Sequence, residues 1–200
     1  MEYKSIIMRC DQIDKTAYAE PDSEVQIELY KQGMETVWAE VQKAAGEFAD
    51  SSDSEVISYF LERFGKLQQE LTRRCVFLKE TATGNYIGTC IAWFEPKGEE
   101  RVHVLHWLAV KDIYAGRGYA RILITQVMKI FEQTDAKRRI YLHTQPCSYK
   151  AIKLYNDFGF CMSKTDTYGT AVNEFAQAMP ILKKYMTSEA YTKLLQTSVA

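Results

Sequence analysis

The sequence predicts an α/β protein built on a mixed sheet of about six to seven strands with flanking helices. Three observations carry that reading. A β-rich block begins at residue 75, where "CVFLKE" and "NYIGTCIAWFE" flank the hairpin signal "TATG". "RVHVLHWLAV" follows, apolar on both faces as a central strand is. The helical pattern "GYARILITQVMKIFEQ" then separates that run from another strand, "RRIYLHT". Strand, helix and strand in this order imply a right-handed crossover to a parallel neighbour. An antiparallel hairpin joined to a parallel crossover makes the sheet mixed.

The remaining elements follow in chain order. Residues 2–10 read as a short edge strand. Pro21, Asp22 and Ser23 supply a helix start, and Val25, Leu29, Val37, Val41 and Ala45 continue at helical spacing. "DSSDSEV" breaks that pattern and offers fresh N-caps. A second helix carries Val56, Ile57, Phe60, Leu61, Phe64 and Leu67 on its apolar side. Along "RVHVLHWLAV", Val102, Val104, His106, Leu108 and Val110 share one face, and His103, Leu105, Trp107 and Ala109 share the other. The next helix turns Ile122, Leu123, Val127, Ile130 and Phe131 toward the core. "SYKAIKLYNDF" is a short helix stopped by Gly159, and "FCMSKTD" is a last strand. Residues 173–196 read as helical, interrupted at Pro180. With no repeats or linkers, residues 1–200 are expected to form a single domain.

Composition narrows the function classes. The chain is 46% hydrophobic and 26% charged, with a net charge of −1, so it lacks the basic excess of a nucleic-acid binder. Lys137, Arg138 and Arg139 read as a local solvated cluster. Cys10, Cys75, Cys90, Cys147 and Cys161 are odd in number and form no CxxC pair, so neither a disulfide framework nor a zinc site is expected. "MEYKSIIMRC" lacks a signal-like apolar core, and no 18-residue apolar run occurs. A soluble cytoplasmic protein without a membrane partner is expected.

The stretch "YAGRGYA" is the strongest functional signal. Gly116 and Gly118 can take positive φ and leave no Cβ in the way of a ligand. A helix beginning beside them aims its unbonded N–H groups and positive dipole end at the turn, and Arg117 adds a full charge. Together these make an anion site of the kind that cradles a pyrophosphate. Arg121 stands where a dinucleotide fingerprint needs its third glycine, and no GxxxxGK[ST] occurs, so neither of those folds is indicated. A plain strand-to-helix turn is the alternative.

"LAVKDIYAGRGYARIL" resembles the acetyl-CoA-binding motif of the GNAT N-acyltransferase superfamily, whose pattern is Arg/Gln-x-x-Gly-x-Gly/Ala after a central strand. Ala115 departs from its first position. "SYKAIKLYNDFGF" resembles the second family block, with Ser148 in the asparagine place and Ala151, Leu154, Tyr155, Gly159 and Phe160 matching. The resemblance is specific over residues 75–160. It implies a strongly twisted sheet with helices on both faces, whose two central parallel strands splay apart to admit CoA. It implies that Leu108, Ala109 and Val110 hold the pantetheine arm, with the Val110 N–H as oxyanion donor. It places the pyrophosphate on Ala115, Gly116, Arg117, Gly118, Tyr119 and Ala120. Tyr155 is the implied general acid, because a phenol of pKa about 10 can protonate a leaving thiolate.

The base is less determined by sequence. His106 is the leading candidate, since imidazole accepts a proton near neutrality; "LHWLAV" resembles a strand of arylalkylamine N-acetyltransferases that carries a histidine there. A hydrogen-bonded core histidine is the other reading. His103 and His143 read as structural, and Glu80 and Glu95 are alternatives acting through water. Residues 20–71 are expected to contribute the acceptor site. Tyr30, Trp38, Tyr59 and Phe60 either line it or belong to the core. Glu24, Glu28, Asp53 and Glu55 either attract a cationic amine or serve as caps and solvated groups. The expected activity is direct acetyl transfer from acetyl-CoA to a primary amine of a small molecule or peptide, without a metal. A non-catalytic CoA sensor and an acyltransferase acting on a protein N-terminus or side chain are the rivals, and a homodimer is compatible with all three.

Overall fold

A computed structural model describes residues 2–135 and 139–200, so Lys137 and Arg138 lie outside the described residues. Seven strands form one open mixed sheet: β1 (Ile6–Cys10), β2 (Val25–Leu29), β3 (Cys75–Glu80), β4 (Tyr86–Lys97), β5 (Glu100–Val110), β6 (Ile140–Thr144) and β7 (Phe160–Met162). Their spatial order is β2-β3-β4-β5-β6-β1-β7. Pairs β2–β3 and β3–β4 are antiparallel, whereas β5 and β6 run parallel. Among the described residues the parallel register pairs His103 with Ile140 and Val104 with Tyr141. The chain clusters into two compact units. The first takes residues up to Tyr18, then Trp93–Val104, then those from Asp135 onward; the second takes Ala19–Ala92 and Leu105–Thr134.

In the second unit the expected helix from residue 25 does not form. Val25–Leu29 is strand β2, paired with β3 from Val25↔Glu80 to Leu29↔Val76, and α1 (Glu35–Ala44) starts only after it. Val25 and Leu29 satisfy a helical i, i+4 spacing, but Val-Gln-Ile-Glu-Leu also alternates, and the ladder on β3 satisfies the backbone. Helix α2 (Asp53–Phe64) begins on a capping box. The Ser52 hydroxyl accepts the Glu55 N–H, and the Glu55 carboxylate accepts the Ser52 N–H at 2.7 Å. α2 buries Val56, Phe60 and Phe64, while Leu61 and Leu67, expected in the core, are 39% and 42% exposed. A 3-10 turn and α3 (Gln68–Arg74) lead into β3. Helix α4 (Tyr119–Asp135) buries Ile122, Leu123, Val127 and Phe131 as expected, while Ile130, also expected to face the core, is half-buried. It packs closely at Gly88 of β4, where an added Cβ would lie 2.8 Å from Leu123 Cδ1 and 2.9 Å from the Ala109 carbonyl.

In the first unit β1 is an interior strand, not the expected edge. It pairs antiparallel with β6 and β7, and Ile6, Ile7 and Met8 are fully buried. Three consecutive apolar residues read as a strand sealed on both faces, and only an interior position provides that. Ile7, Val102, Val104, Tyr141 and Tyr168 form a core cluster around it. Helix α5 (Tyr149–Asp157) ends before Gly159, which has a φ of +94°. Pro180 does not interrupt the C-terminal helical segment. It sits inside α6 (Phe175–Tyr185), whose buried Ala178, Met179 and Leu182 hold the helix despite the missing N–H. The break falls at Met186, and the Thr187 hydroxyl caps α7 (Ser188–Thr197).

Candidate functional site

The candidate site starts where β5 departs from regular geometry. Trp107 has a φ of +50°, a left-handed conformation that L residues rarely adopt. Leu105 and Ala109 are buried, and Trp107 between them is half-buried. Its ring packs against Trp38, Phe48 and Tyr59, with centroids 5.6, 5.1 and 5.5 Å away. His106, immediately before it, is half-buried, with its ring edge-on to Phe64 at 6.1 Å.

Beyond Val110 the chain is tied down and then turns. The Lys111 N–H donates to the Ile87 carbonyl at 2.9 Å, and the Lys111 ammonium meets Glu40 at 2.5 Å. A 3-10 turn over Asp112–Tyr114 follows, and Ala115 is extended. Gly116 and Gly118 have φ values of +80° and +85°, and a Cβ on either would meet no atom within 4 Å. The glycines thus serve backbone conformation at an open surface rather than close packing. The first bonds of α4 run from the Arg121 and Ile122 N–H groups to the Gly118 carbonyl, at 2.9 and 3.4 Å. The N–H groups of Tyr119 and Ala120 therefore stand ahead of the helical ladder. Arg117 is exposed, with its guanidinium 5.5 Å from the Tyr114 ring centroid. Burial and the nearby Glu80 carboxylate raise the Tyr114 phenol above its ordinary pKa, so it stays neutral beside the turn. Positive helix end, leading N–H groups, exposed cation and open space together fit a pyrophosphate.

The second unit thus gathers His106, Leu108, Ala109, Val110 and Ala115–Ala120 on one continuous strand–turn–helix segment. Tyr155 and Ser148 belong to the first unit. Tyr155, on α5, is 7% exposed, with its ring edge against Phe160 at 6.0 Å. Ser148 is the α5 N-cap residue, but its side chain makes no capping hydrogen bond.

Other candidates resolve toward structural roles. Tyr30, Trp38 and Phe60 are core residues, 2%, 0% and 0% exposed, while Tyr59 is half-buried. Glu55 completes the α2 cap, Asp53 pairs with Lys43, and Glu28 accepts from Lys31 and Tyr86. His103 is buried, and His143 is bonded to Ser5 at 2.9 Å and Tyr3 at 3.2 Å. Glu80 accepts from Thr83, and Glu95 is buried in the first unit. Sequence reasoning missed Phe48, whose φ is +55°, and the strain at Trp107. A lone aromatic in the polar link "AAGEFAD" was the available signal for Phe48. A cleft of 670 Å³ in the first unit, lined by Lys97, Arg101, Arg139 and Tyr141 among others, contains none of the predicted residues. Among the described residues no group of His, Cys, Asp or Glu is placed to hold a metal ion, and no helix is long and apolar enough to cross a membrane.

The family model described as acetyltransferase (GNAT) family matches residues 38–160. Among solved structures, a GCN5-related N-acetyltransferase from Sphaerobacter thermophilus aligns with a TM-score of 0.53 at 18% identity, over 72% of this chain and 42% of that one. A GNAT-family acetyltransferase from Colwellia psychrerythraea aligns with a TM-score of 0.57 at 13% identity, over 80% and 53%. An aminoglycoside N-acetyltransferase, AAC(6')-Iy, solved in complex with CoA, aligns with a TM-score of 0.52 at 15% identity, over 77% and 95%. The chain spans about half the length of the first two. Among curated proteins none matches it.

Proposed function

Because the chain belongs to the GNAT acetyltransferase family, we propose that it transfers an acetyl group from acetyl-CoA to a primary amine of a small molecule or peptide. One observation carries the reading. The open, doubly positive-φ turn at Gly116 and Gly118 leads into the N-terminus of α4, just after the short 3-10 turn that follows β5. A pyrophosphate held there by the leading N–H groups and Arg117 would fix one end of the donor. Leu108–Val110 would receive its pantetheine arm as a strand-like partner. The CoA bound to AAC(6')-Iy supports the same donor here.

The reaction needs no covalent enzyme intermediate. A neutral amine attacks the thioester carbonyl, a C–N bond forms, and the oxyanion is stabilised by the Val110 N–H. The C–S bond then breaks and the leaving thiolate takes a proton from a general acid, a role that the resemblance of the second sequence block gives to Tyr155. His106 takes the proton that the amine must lose. A small-molecule or peptide acceptor both suit this chemistry.

A panel of aliphatic, aromatic and peptide amines, followed by release of free CoA thiol, tests the proposal. We expect acceptor-dependent release by the native protein. In Tyr155→Phe, kcat should fall about 100-fold with acetyl-CoA affinity unchanged, the size of a lost general acid. Acetyl-CoA binding with no release across the panel would favour the sensor reading. An unchanged kcat in Tyr155→Phe would remove the phenol from the mechanism.

A further inference from the structure

We infer that Gln42 is a positioning residue: through one hydrogen bond to the Trp107 carbonyl it holds the left-handed backbone conformation at Trp107 that aims Leu108–Val110. Gln42 lies on α1 among Trp38, Ala39 and Val41, all buried, where an apolar side chain would pack without loss. Its side-chain amide is fully buried, and its Nε2 donates to the Trp107 carbonyl at 3.1 Å. Among the described residues its Oε1 has no partner, and neither does the indole N–H of Trp38, one turn earlier on the same helix. Burying an amide with one end unmet costs free energy that packing alone does not require.

A second cost sits at the other end of the same bond. Trp107 is a bulky residue at a φ of +50°, a conformation that persists only where its surroundings over-determine it. Ring contacts to Trp38, Phe48 and Tyr59 hold its side chain, and Gln42 holds its carbonyl. The neighbouring His106 carbonyl also takes a side-chain donor, the Cys90 thiol at 3.7 Å. The His106 and Trp107 carbonyls thus both take side-chain donors.

The conformation of Trp107 makes this bond matter. A residue at positive φ turns the peptide groups after it away from the course an extended residue would give them. If the Trp107 carbonyl lost its donor, its φ would relax toward the extended region. The N–H groups of Leu108, Ala109 and Val110 would then be aimed differently. That the Val110 N–H matters to the donor rests on the acetyl-CoA reading; that Gln42 places it does not.

The test separates the two. Gln42→Met keeps length and volume but removes the donor. Gln42→Glu can donate only while its buried carboxyl is protonated. In ligand-free protein, amide hydrogen exchange over residues 105–111 should accelerate about tenfold in Gln42→Met, the size of one lost net hydrogen bond. Exchange in β3 and α4 should stay unchanged. In Gln42→Glu the acceleration should appear at pH 8 and disappear at pH 5. Acetyl-CoA affinity, measured by calorimetry, should fall about tenfold with it. Unchanged exchange at residues 105–111 would overturn the inference. So would acceleration spread evenly over the second unit, which would mark Gln42 as packing only. If native protein binds no acetyl-CoA while the local exchange effect holds, the donor reading fails and the positioning role stands.

Discussion

Gly159 shows how a single residue can be fixed by geometry. A Cβ at this position would lie 2.3 Å from the Gln12 carbonyl oxygen, and the φ of +94° is strained for any other residue. Gly159→Ala should therefore lose at least about 3 kcal/mol of stability in urea unfolding, because backbone strain and a backbone clash add. The sequence marked this glycine as a helix stop, and the structure agrees. Gly116 and Gly118 were legible for the same reason, since a glycine pair between an apolar strand and an apolar helix has few uses. Gln42 was not legible. On an amphipathic helix a polar residue reads as solvent-facing until its neighbours are known, and Trp107 reads as an ordinary strand residue because nothing local announces a positive φ.

At the scale of elements, strongly local signals were readable and those set by partners were not. The capping box of α2 is written in Ser52 and Glu55, and Ser52→Ala should cost about 1 kcal/mol in thermal or urea unfolding. The block from β3 to α5 was readable because hairpin, crossover and glycine stop each depend on few neighbouring residues. β2 was misread as helix because Val25 and Leu29 fit both periods, and only β3 decides between them. β1 was misread as an edge because sheet order is a long-range property. It supplies the partner of both β6 and β7, so removing residues 2–12 would leave two strand edges open and the Ile6, Ile7 and Met8 contacts unmade. We expect that deletion to yield aggregated protein on size-exclusion chromatography. A monomeric product with native circular dichroism would show that the interior strand is dispensable.

Among the carboxylates held below their ordinary pKa, Asp166 of the first unit should contribute to the acid limb of stability. Asp166 accepts from Arg9 of β1 at 2.8 Å, from Lys97 of β4 at 2.7 Å and from Ser163 at 3.1 Å. Burial alone would raise its pKa, but the hydrogen bonds from Lys97 and Arg9 outweigh that and hold it below the ordinary aspartate value. A carboxyl with a depressed folded pKa stabilises above its unfolded value of about 3.9, and that contribution is lost as pH falls through the folded value. Native protein should therefore lose urea stability on acidification from pH 5 to below pH 4. Asp166→Asn should be about 2 kcal/mol less stable at pH 7 and show a flatter acid limb. Parallel pH profiles for the two proteins would contradict this account.

The central claim is that the turn between β5 and α4 holds the pyrophosphate of acetyl-CoA. Calorimetric titration of acetyl-CoA into native protein and Gly118→Trp tests it most directly. A Cβ at Gly118 meets nothing within 4 Å, so the core is left intact, while the bulky side chain and the strain of a non-glycine residue at a φ of +85° both disrupt the turn. Saturable binding by the native protein, lost or weakened at least about 100-fold in the variant, is the predicted result. Equal binding by both proteins, or none by the native protein at millimolar acetyl-CoA, would contradict it.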